Sequence, residues 1–480
     1  MIHKRLVAVF VFLIAASFFF FACKKPESSI LAITHVTVID MTGAPPMPDQ
    51  TVLIDRETIV ALGTFSSISI PNGAKVIDAR GKFLIPGLAD MHVHLTGAGE
   101  PNGSRDFFLP LLIANGITSV RDMGGYLDLL TPLRKEIEEG KRVGPRIVFA
   151  GPYLDGDPPA FDPVVIVTDR SDADAAVIWL KQRGVDFIKV QSNLSRDAYF
   201  AIAEAAKNQS ISFVGHVPDR VTAWEAADAG QKSIEHLTNV LRACSAIEKD
   251  LMSKQLGKSS PVSQLAWQRE LLTSYSEAKA AELVIKFREQ NVWQTPTLIL
   301  LRNVAFPSAE FNLPSDSRSK YAPRKLLETW RGEYERQTKD EKTGQAAVRA
   351  VLLKRSLAIT GQMQKGGVKI LAGTDSAAPF VFPGSSLHEE LALLVEAGLT
   401  PMEALQAATR NPAEFLGHLD SQGTIEVGKN ADLVLLDSNP LDDIRNTQKI
   451  HAVILRGKLL DRSALDELLA GAEKFAASNW

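Results

Sequence analysis

Cysteine is scarce in this sequence, with Cys23 and Cys244 the only two among 480 residues. So few cysteines exclude a scaffold that is held together by several disulfides. No lysine- or arginine-rich block stands out, and 53 basic against 56 acidic residues give a formal charge of −3, so nucleic acid is not an expected partner. Apolar residues make up 45% and charged residues 23%, as in ordinary globular proteins, which excludes a disordered, fibrous or polytopic membrane protein.

The longest apolar run lies at the N-terminus. Lys4 and Arg5 precede 17 positions from Leu6 to Ala22, interrupted by a single serine, and Cys23 follows. This pattern predicts a secretory signal over residues 1–23 of the kind found in bacterial lipoproteins, with Cys23 as the lipidation site. An uncleaved anchor helix is the alternative, because such a run is near the lower limit for spanning a bilayer. We therefore expect a protein attached to the bacterial cell envelope, facing the periplasm or the outside. Finding residues 1–22 still attached, by mass spectrometry of the membrane fraction, would contradict cleavage.

The rest of the chain divides by its strand pattern. Residues 28–85 and 419–463 carry short strand-like runs separated by turn residues, and neither end alone makes a comfortable β-domain. We expect the two ends to pack together as one small β-sandwich. It would lie beside a middle domain over residues 86–418, with a helix over residues 464–480 at the C-terminus.

The middle domain alternates apolar strand-like runs with helix-like stretches. Eight strands are predicted within residues 83–94, 116–121, 146–150, 186–190, 211–216, 233–237, 292–297 and 368–375. Strands that alternate with helices form a parallel sheet, so eight repeats predict an α/β fold of the (β/α)8 TIM-barrel type. The charged, helix-prone residues 245–290 and 308–358 exceed what two repeats need. They are interpreted as insertions over the barrel mouth, or alternatively as an outer helical layer.

Polar side chains gather at the predicted strand ends, where TIM barrels place their active sites. They are His92 and His94 on strand one, Lys189 on strand four, His216 on strand five, His236 on strand six and Asp375 on strand eight. Because side chains alternate between the faces of a strand, Asp90 should face the barrel axis with the two histidines, and Ala89 and Met91 should face the helices. Imidazole and carboxylate groups bind zinc, manganese, iron or nickel, so the set predicts one catalytic zinc or a pair of metal ions.

Lys189 is the unusual member of this set. A buried ammonium beside metal ions is unfavourable, and burial favours the neutral amine. A neutral amine reacts with carbon dioxide to give a carbamate, a two-oxygen anion that can bridge two metal ions. The alternative is a lysine that forms an ion pair with a carboxylate elsewhere in the barrel.

The combined motifs resemble the metal-dependent amidohydrolase superfamily. The resemblance is carried by FLIPGLADMHVH at 83–94, GITSVRDMGG at 116–125, DFIK at 186–189, GH at 215–216, EH at 235–236, AGTD at 372–375 and GTIEVGKNADLV at 423–434. It covers nearly everything after residue 30 and implies the binuclear subtype, near the imidazolonepropionase-like proteins and prolidase-like dipeptidases. It also implies two metal ions, which are expected to be zinc. The more buried ion would be held by His92, His94 and Asp375, and the exposed ion by His216 and His236. A carboxylated Lys189 would bridge both ions.

The resemblance implies a metal-dependent hydrolase of a carbon–nitrogen bond, an amide or peptide bond in a small molecule or short peptide. Asp375 is expected to take a proton from the attacking hydroxide and deliver it to the leaving amine. Arg121, at the end of strand two, is a candidate partner for a substrate carboxylate, or else forms a structural ion pair with Asp122 or a neighbour. Tyr153 is a candidate donor to a substrate carbonyl. Residues 151–159 lack the histidine associated with the dipeptidase branch, which weakens the assignment to dipeptides.

Two other functions stay open. A one-metal hydrolase of cyclic amides, or a deaminase, similar to imidazolonepropionase would carry a glutamate where this chain has Asp219, and would lack Lys189. The other is a lipid-anchored binding protein without turnover. The complete set of candidate ligands argues against it. A homo-oligomer is compatible with the resemblance, since dimers are common in proteins of this kind.

Overall fold

The computed structural model describes residues 30–96, 104–256, 261–306, 316–339 and 344–478. The predicted signal, Cys23 included, lies outside these residues. Of the helices in the described ranges, none combines the length and the apolar character needed to cross a bilayer.

The strands of the described residues are numbered in chain order. They are β1 (Ile30–Val38), β2 (Met47–Asp55), β3 (Thr58–Thr64), β4 (Lys75–Asp78), β5 (Phe83–Pro86), β6 (Leu88–Val93), β7 (Ile117–Asp122), β8 (Arg146–Phe149), β9 (Tyr153–Asp155), β10 (Val164–Ile166), β11 (Ile188–Val190), β12 (Phe213–Gly215), β13 (Ser233–Glu235), β14 (Trp293–Thr295), β15 (Leu433–Leu436), β16 (Ile450–Leu455) and β17 (Lys458–Leu460).

The α-helices are numbered in the same way. They are α1 (Leu109–Ala114), α2 (Leu127–Glu138), α3 (Arg170–Gln182), α4 (Arg196–Asn208), α5 (Ala223–Asp228), α6 (Val240–Ala243), α7 (Glu248–Leu256), α8 (Pro261–Thr273), α9 (Glu277–Glu289), α10 (Leu298–Ala305), α11 (Arg324–Lys339), α12 (Gln345–Lys365), α13 (Ser385–Glu396), α14 (Pro401–Ala407), α15 (Arg410–Leu416) and α16 (Arg462–Ala477).

Strands from both ends of the chain form one eight-stranded sheet. Its order is β17-β16-β15-β5-β1-β2-β3, with β4 also paired to β1. The two ends join where β15 runs antiparallel to β5, with Leu435 opposite Leu84. Apolar side chains from both ends, including Ile33, Ile54 and Ile454, are buried together in one cluster. Burying the apolar faces of these strands requires both ends of the chain, which explains why neither end would be stable alone.

The barrel strands run parallel, as their alternation with helices predicts. One group pairs in the order β6-β7-β8 and the other in the order β10-β9-β11-β12-β13-β14. The groups meet where the amide of Asp186 donates to the carbonyl of Phe149 at 2.9 Å. The predicted eighth strand closes the barrel through isolated bridges, Ile370 to Gln294 and Ser376 to Val93. It does not form a regular strand, and Asp375 at its end adopts φ +67°, a left-handed conformation.

Strand β6 departs from simple alternation. Its pairing with β7 shifts register between Leu88 and Ala89 and again between Asp90 and Val93. As a result Ala89 and Met91, predicted to face the helices, are buried with Phe187 in an inner cluster of the barrel. The alternation argument was wrong for this part of the strand, since an irregularity changes which face later side chains occupy.

The two insertions differ in position. Helix α11 lines the main cavity at the barrel mouth, whereas no described residue between 245 and 290 lines it. Helix α12 instead packs against α8, α9, α10 and α13. The part of the second insertion that forms α11 therefore reaches over the mouth, whereas α12 and the first insertion belong to an outer helical layer. Residues 308–315 and 340–343 of the second insertion and 257–260 of the first lie outside the described residues.

Candidate metal centre

Four histidines at the strand ends share one arrangement, in which Nδ1 is held by a protein group. The partners are Glu235 Oε2 at 2.9 Å for His92, the Gly124 carbonyl at 3.0 Å for His94, Ser192 Oγ at 2.8 Å for His216 and Thr297 Oγ1 at 2.7 Å for His236. Histidines that bind metals commonly use one ring nitrogen for the metal and the other for such a partner, which fixes the ring. The common use of Nδ1 leaves Nε2 of each ring for an ion.

The ligand atoms converge with Asp375. Its Oδ1 lies 3.0 Å from Nε2 of His94 and 3.2 Å from Nε2 of His92. Ligand atoms of His92, His236 and Asp375 all lie within 4.8 Å of one another. The ring of His216 lies 5.1 Å from that of His236, centre to centre. Nε2 of His92 is buried without a hydrogen bond, as expected of an atom placed to coordinate an ion. The donor set therefore fits a divalent metal.

The charge states of His236, His216 and Asp375 suit metal binding. Burial and the neighbouring His92 lower the pKa of His236 to about 3. Burial and Lys189 hold the pKa of His216 well below its usual range. Burial alone would raise the pKa of Asp375, but His236 and His92 hold it well below its usual range. Neutral imidazoles and an ionised carboxylate are the forms that ligate metals.

Lys189 lies in the middle of the centre. It is 1% exposed, lines the same cavity as the histidines, and makes no hydrogen bond or ion pair with any described residue. Burial, opposed by Glu235 and Asp375, lowers its pKa to about 8. Gly215 makes room for it, because a Cβ on that residue would lie 2.9 Å from Cδ of Lys189. The alternative of a lysine paired with a carboxylate finds no partner among the described residues.

Arg121 does not face the cavity. Its side chain is fully buried beneath the centre, where NH2 donates to both oxygens of Glu235 at 2.9 and 3.0 Å. It also donates to Ser233, Thr295 and the Met91 carbonyl. The guanidinium is thus used in a structural ion pair, with Glu235 rather than with Asp122. A role in binding a substrate carboxylate was the wrong interpretation, since Arg121 is fully buried and does not line the cavity.

Tyr153 does face the cavity, at the start of β9. Its hydroxyl oxygen lies 3.1 Å from Nδ1 of His94. Since that nitrogen donates its proton to the carbonyl of Gly124, the hydroxyl proton is available to another acceptor. The approach needs Gly124, where a Cβ would lie 2.1 Å from Cε1 of the tyrosine ring. Tyr153 therefore presents a hydroxyl group to the cavity beside His94.

The residues that hold the histidines were not predicted. Glu235 lies 143 positions from His92 in sequence, and Thr297 lies 61 positions from His236. Two weak signals existed, because Glu235 directly precedes a predicted ligand and Thr297 ends predicted strand seven. His236, Thr297 and Asp375 also adopt positive φ angles of 56°, 44° and 67°. Such strain is common at functional sites and cannot be read from the sequence.

Replacing Thr297 with valine is expected to weaken one of the metal sites by about 10- to 100-fold, the usual effect of losing such a partner. The change keeps the shape of the side chain and removes only the hydroxyl that holds His236. Metal titration with a competing chelator measures the affinity. A decrease in kcat/KM should accompany it at limiting metal.

Thr447 offers a matched control for this variant. It is also fully buried, and its hydroxyl lies 3.0 Å from Nδ1 of another histidine, His388, outside the cavity. The Thr447→Val protein should keep the metal affinity of the unaltered protein. Equal losses in both variants would show that the effect comes from general destabilisation and not from the position of His236.

The centre opens into a cavity of about 800 Å³. The ligand residues form its floor, and Tyr153 and Gln191 lie beside them. Much of the remaining lining is apolar and comes from α10, α11 and residues 377–380. This volume is that of a small-molecule site, which holds a ligand much larger than water.

Comparison with known proteins identifies the family and supports the fold. Residues 83–460 match the model of the Amidohydrolase family. Ochratoxinase of Aspergillus niger is 25% identical over an alignment of 429 positions, which covers 77% of this chain and 73% of that protein. A solved bottromycin amidohydrolase superposes with a TM-score of 0.74 at 23% identity, covering 95% of this chain and 92% of that one. A Xaa-Pro dipeptidase with bound methionine gives a TM-score of 0.66 at 23% identity, covering 90% and 100%. The two superpositions support the fold.

Proposed function

This chain belongs to the amidohydrolase family, and we propose that it hydrolyses an amide or peptide bond of a small substrate with two divalent metal ions, zinc foremost. The observation that carries the proposal is the common Nδ1 anchoring of four histidines around one carboxylate. His92, His94 and Asp375 would hold one ion, and His216 and His236 the other. Ions held there would lower the pKa of water toward neutrality, which supplies hydroxide, and would polarise a carbonyl group.

A carboxylated Lys189 would join the two ions. Its neutral amine adds to the carbon of carbon dioxide and loses one proton, which leaves a carbamate with one negative charge. The absence of an ion-pair partner among the described residues and the lowered pKa of about 8 support the neutral amine that this addition requires. The resulting anion would offer its two oxygens to the ions and would replace a buried amine that has no ion-pair partner among the described residues.

Asp375 is the proposed general base and acid. Its carboxylate lies at the cavity floor beside His94, and its pKa stays well below the usual range, so it is ionised and able to accept a proton from the attacking water. The proton then goes to the leaving nitrogen, which departs as a neutral amine. Tyr153 donates its hydroxyl proton to an oxygen of the substrate and orients it.

The one-metal alternative is disfavoured by Asp219. Its carboxylate accepts from Gln255 and Asn239, and it is not among the residues that line the cavity. It is thus used in the packing of α7 and does not take the place of a catalytic glutamate. The binding-protein alternative is disfavoured because every ligand position is filled.

Two measurements on the purified protein test the proposed function. Metal analysis should give two equivalents per chain, and a panel of dipeptides, N-acyl amino acids, lactams and esters should contain amides that are hydrolysed. One equivalent with full turnover would support the cyclic-amide hydrolase or deaminase. Two equivalents with no turnover across the panel would support the binding protein.

Attachment to the cell envelope through a lipidated Cys23 is a further part of the proposal. Its support is the sequence pattern of residues 1–23 alone. Mass spectrometry of the mature N-terminus tests it, since a lipidated Cys23 would be the first residue.

A further inference from the structure

The outer wall of the cavity is apolar, whereas its floor carries the polar side chains of the candidate metal ligands. Six side chains make up this wall, which we call the apolar wall: Leu300 and Val304 from α10, Leu326, Trp330 and Tyr334 from α11, and Phe380. Five of the six come from the segment between strands seven and eight, and Phe380 follows strand eight. The wall and the metal centre line the same cavity, so one substrate can contact both.

The helical spacing explains how the wall forms. Leu300 and Val304 are four residues apart, as are Leu326, Trp330 and Tyr334 in turn, so each helix presents one stripe to the cavity. Such stripes usually pack against the core. Here they border a cavity of about 800 Å³.

The wall is formed in advance of any ligand. Trp330 is 1% exposed, and its ring centre lies 5.9 Å from that of Phe380. Tyr334 packs edge-on against Phe380 as well, with ring centres 6.4 Å apart. Aromatic pairs at these separations are mutually stabilising. A ligand that contacts the wall would not have to order it first, which favours binding.

Two apolar side chains at this cavity remain open to solvent. Val304 is 43% exposed and Phe161 is 60% exposed. The ring of Phe161 lies 6.4 Å from that of Tyr153, so it borders the part of the cavity next to the metal centre. Covering apolar surface of this kind by an apolar ligand is favourable.

We propose that the apolar wall is a substrate subsite for a bulky apolar group, preferably aromatic, attached next to the scissile amide. This inference rests on the proposed function and names the class of amide that the centre acts on. The metal centre supplies the chemistry, and the wall selects the substrate. Phenylalanine-like residues or arylalkyl acyl groups have the size and character that the wall accepts.

Two series of substrates test the subsite. In one, N-acetyl amino acids carry side chains from glycine through alanine and leucine to phenylalanine, and in the other, N-acyl glycines carry acyl groups from acetyl to phenylacetyl. We expect kcat/KM to rise about 100-fold or more along one series, because each methylene in an apolar pocket contributes about 10-fold or more. Flat values in both series would overturn the subsite, while turnover itself would leave the proposed function intact.

Val304→Asn is the matching variant, since it adds a polar group to the apolar wall without touching the metal ligands. It should lower kcat/KM for the phenylalanine or phenylacetyl member about 10-fold and change the smallest member less than about twofold. Val351 on α12 provides the control, because it is 48% exposed but does not line the cavity. Val351→Asn should leave both values unchanged.

Calorimetric binding of the same two series to the metal-loaded protein separates the subsite from the chemistry. If no member is hydrolysed but affinity rises with apolar size and falls in Val304→Asn, the proposed function fails and the subsite stands. If affinity does not depend on apolar size, or the dependence is unchanged in Val304→Asn, the subsite is wrong whatever the turnover.

Discussion

Replacing Lys189 with alanine should lower kcat/KM by about 10³-fold or more, since metal ions contribute several kcal/mol to such reactions and each 1.36 kcal/mol is tenfold. The variant removes the amine that lies beside the candidate metal ligands and is proposed to become the bridging carbamate. Metal analysis should show fewer than two equivalents per chain. Folding should be little affected, because the side chain makes no hydrogen bond or ion pair with a described residue.

Adding a short carboxylic acid should restore part of this activity. Formate, acetate or propionate offers the same two-oxygen bridge, and removal of the lysine side chain leaves space for it. In the unaltered protein, incubation with ¹³C-labelled bicarbonate should give a carbamate carbon resonance that Lys189→Ala lacks. This signal reports the modification independently of turnover.

Lys232 supplies the control for this experiment. It immediately precedes β13, and its ammonium donates to the carbonyl of Phe415 at 2.6 Å, away from the cavity. Lys232→Ala should keep both metals, the carbamate resonance and turnover, with no response to added carboxylate. If Lys189→Ala itself kept two metals and full turnover, the bridge would be wrong and the ions would be held by other groups.

The family and the fold were predictable from the sequence, and both are confirmed. Hydrolysis of a carbon–nitrogen bond by a metal-dependent enzyme follows from that family. The ligand set could be predicted because its residues lie at the carboxyl ends of the strands. A parallel barrel brings these ends together at one mouth, whatever the conformation of the loops. His92, His216 and Asp375 could thus be placed together although up to 283 positions separate them in sequence.

The supporting structure was not predictable, because it depends on distances between loops and on local backbone geometry. The partner of Arg121 is one example. The sequence suggested a neighbour or a substrate, whereas the barrel interior brings it to Glu235, 114 positions away. The register shift in β6, which turned Met91 inward, is another. The apolar wall also depends on how an insertion folds back over the mouth, which periodicity alone leaves open.

Arg121→Met should reduce the free energy of unfolding by about 3–5 kcal/mol, because it leaves the charge of Glu235 buried without its main partner. Both side chains are fully buried, and the guanidinium holds the pKa of Glu235 well below its usual range against the effect of burial. Chemical denaturation measures the loss. Metal affinity should fall as well, since Glu235 also fixes Nδ1 of His92.

The double variant Arg121→Met/Glu235→Met separates these two effects. Replacing a complete buried ion pair with apolar residues of similar volume is often neutral for stability, so most of the unfolding free energy should return. Metal affinity should not return, because His92 still lacks the acceptor that orients its ring. Arg242 is the control, because this buried arginine donates hydrogen bonds to the backbone carbonyls of Val221 and Asp219 and not to a carboxylate. Arg242→Met should leave metal affinity unchanged. A double variant as unstable as Arg121→Met would mean that packing of the guanidinium, and not the isolated charge of Glu235, causes the loss.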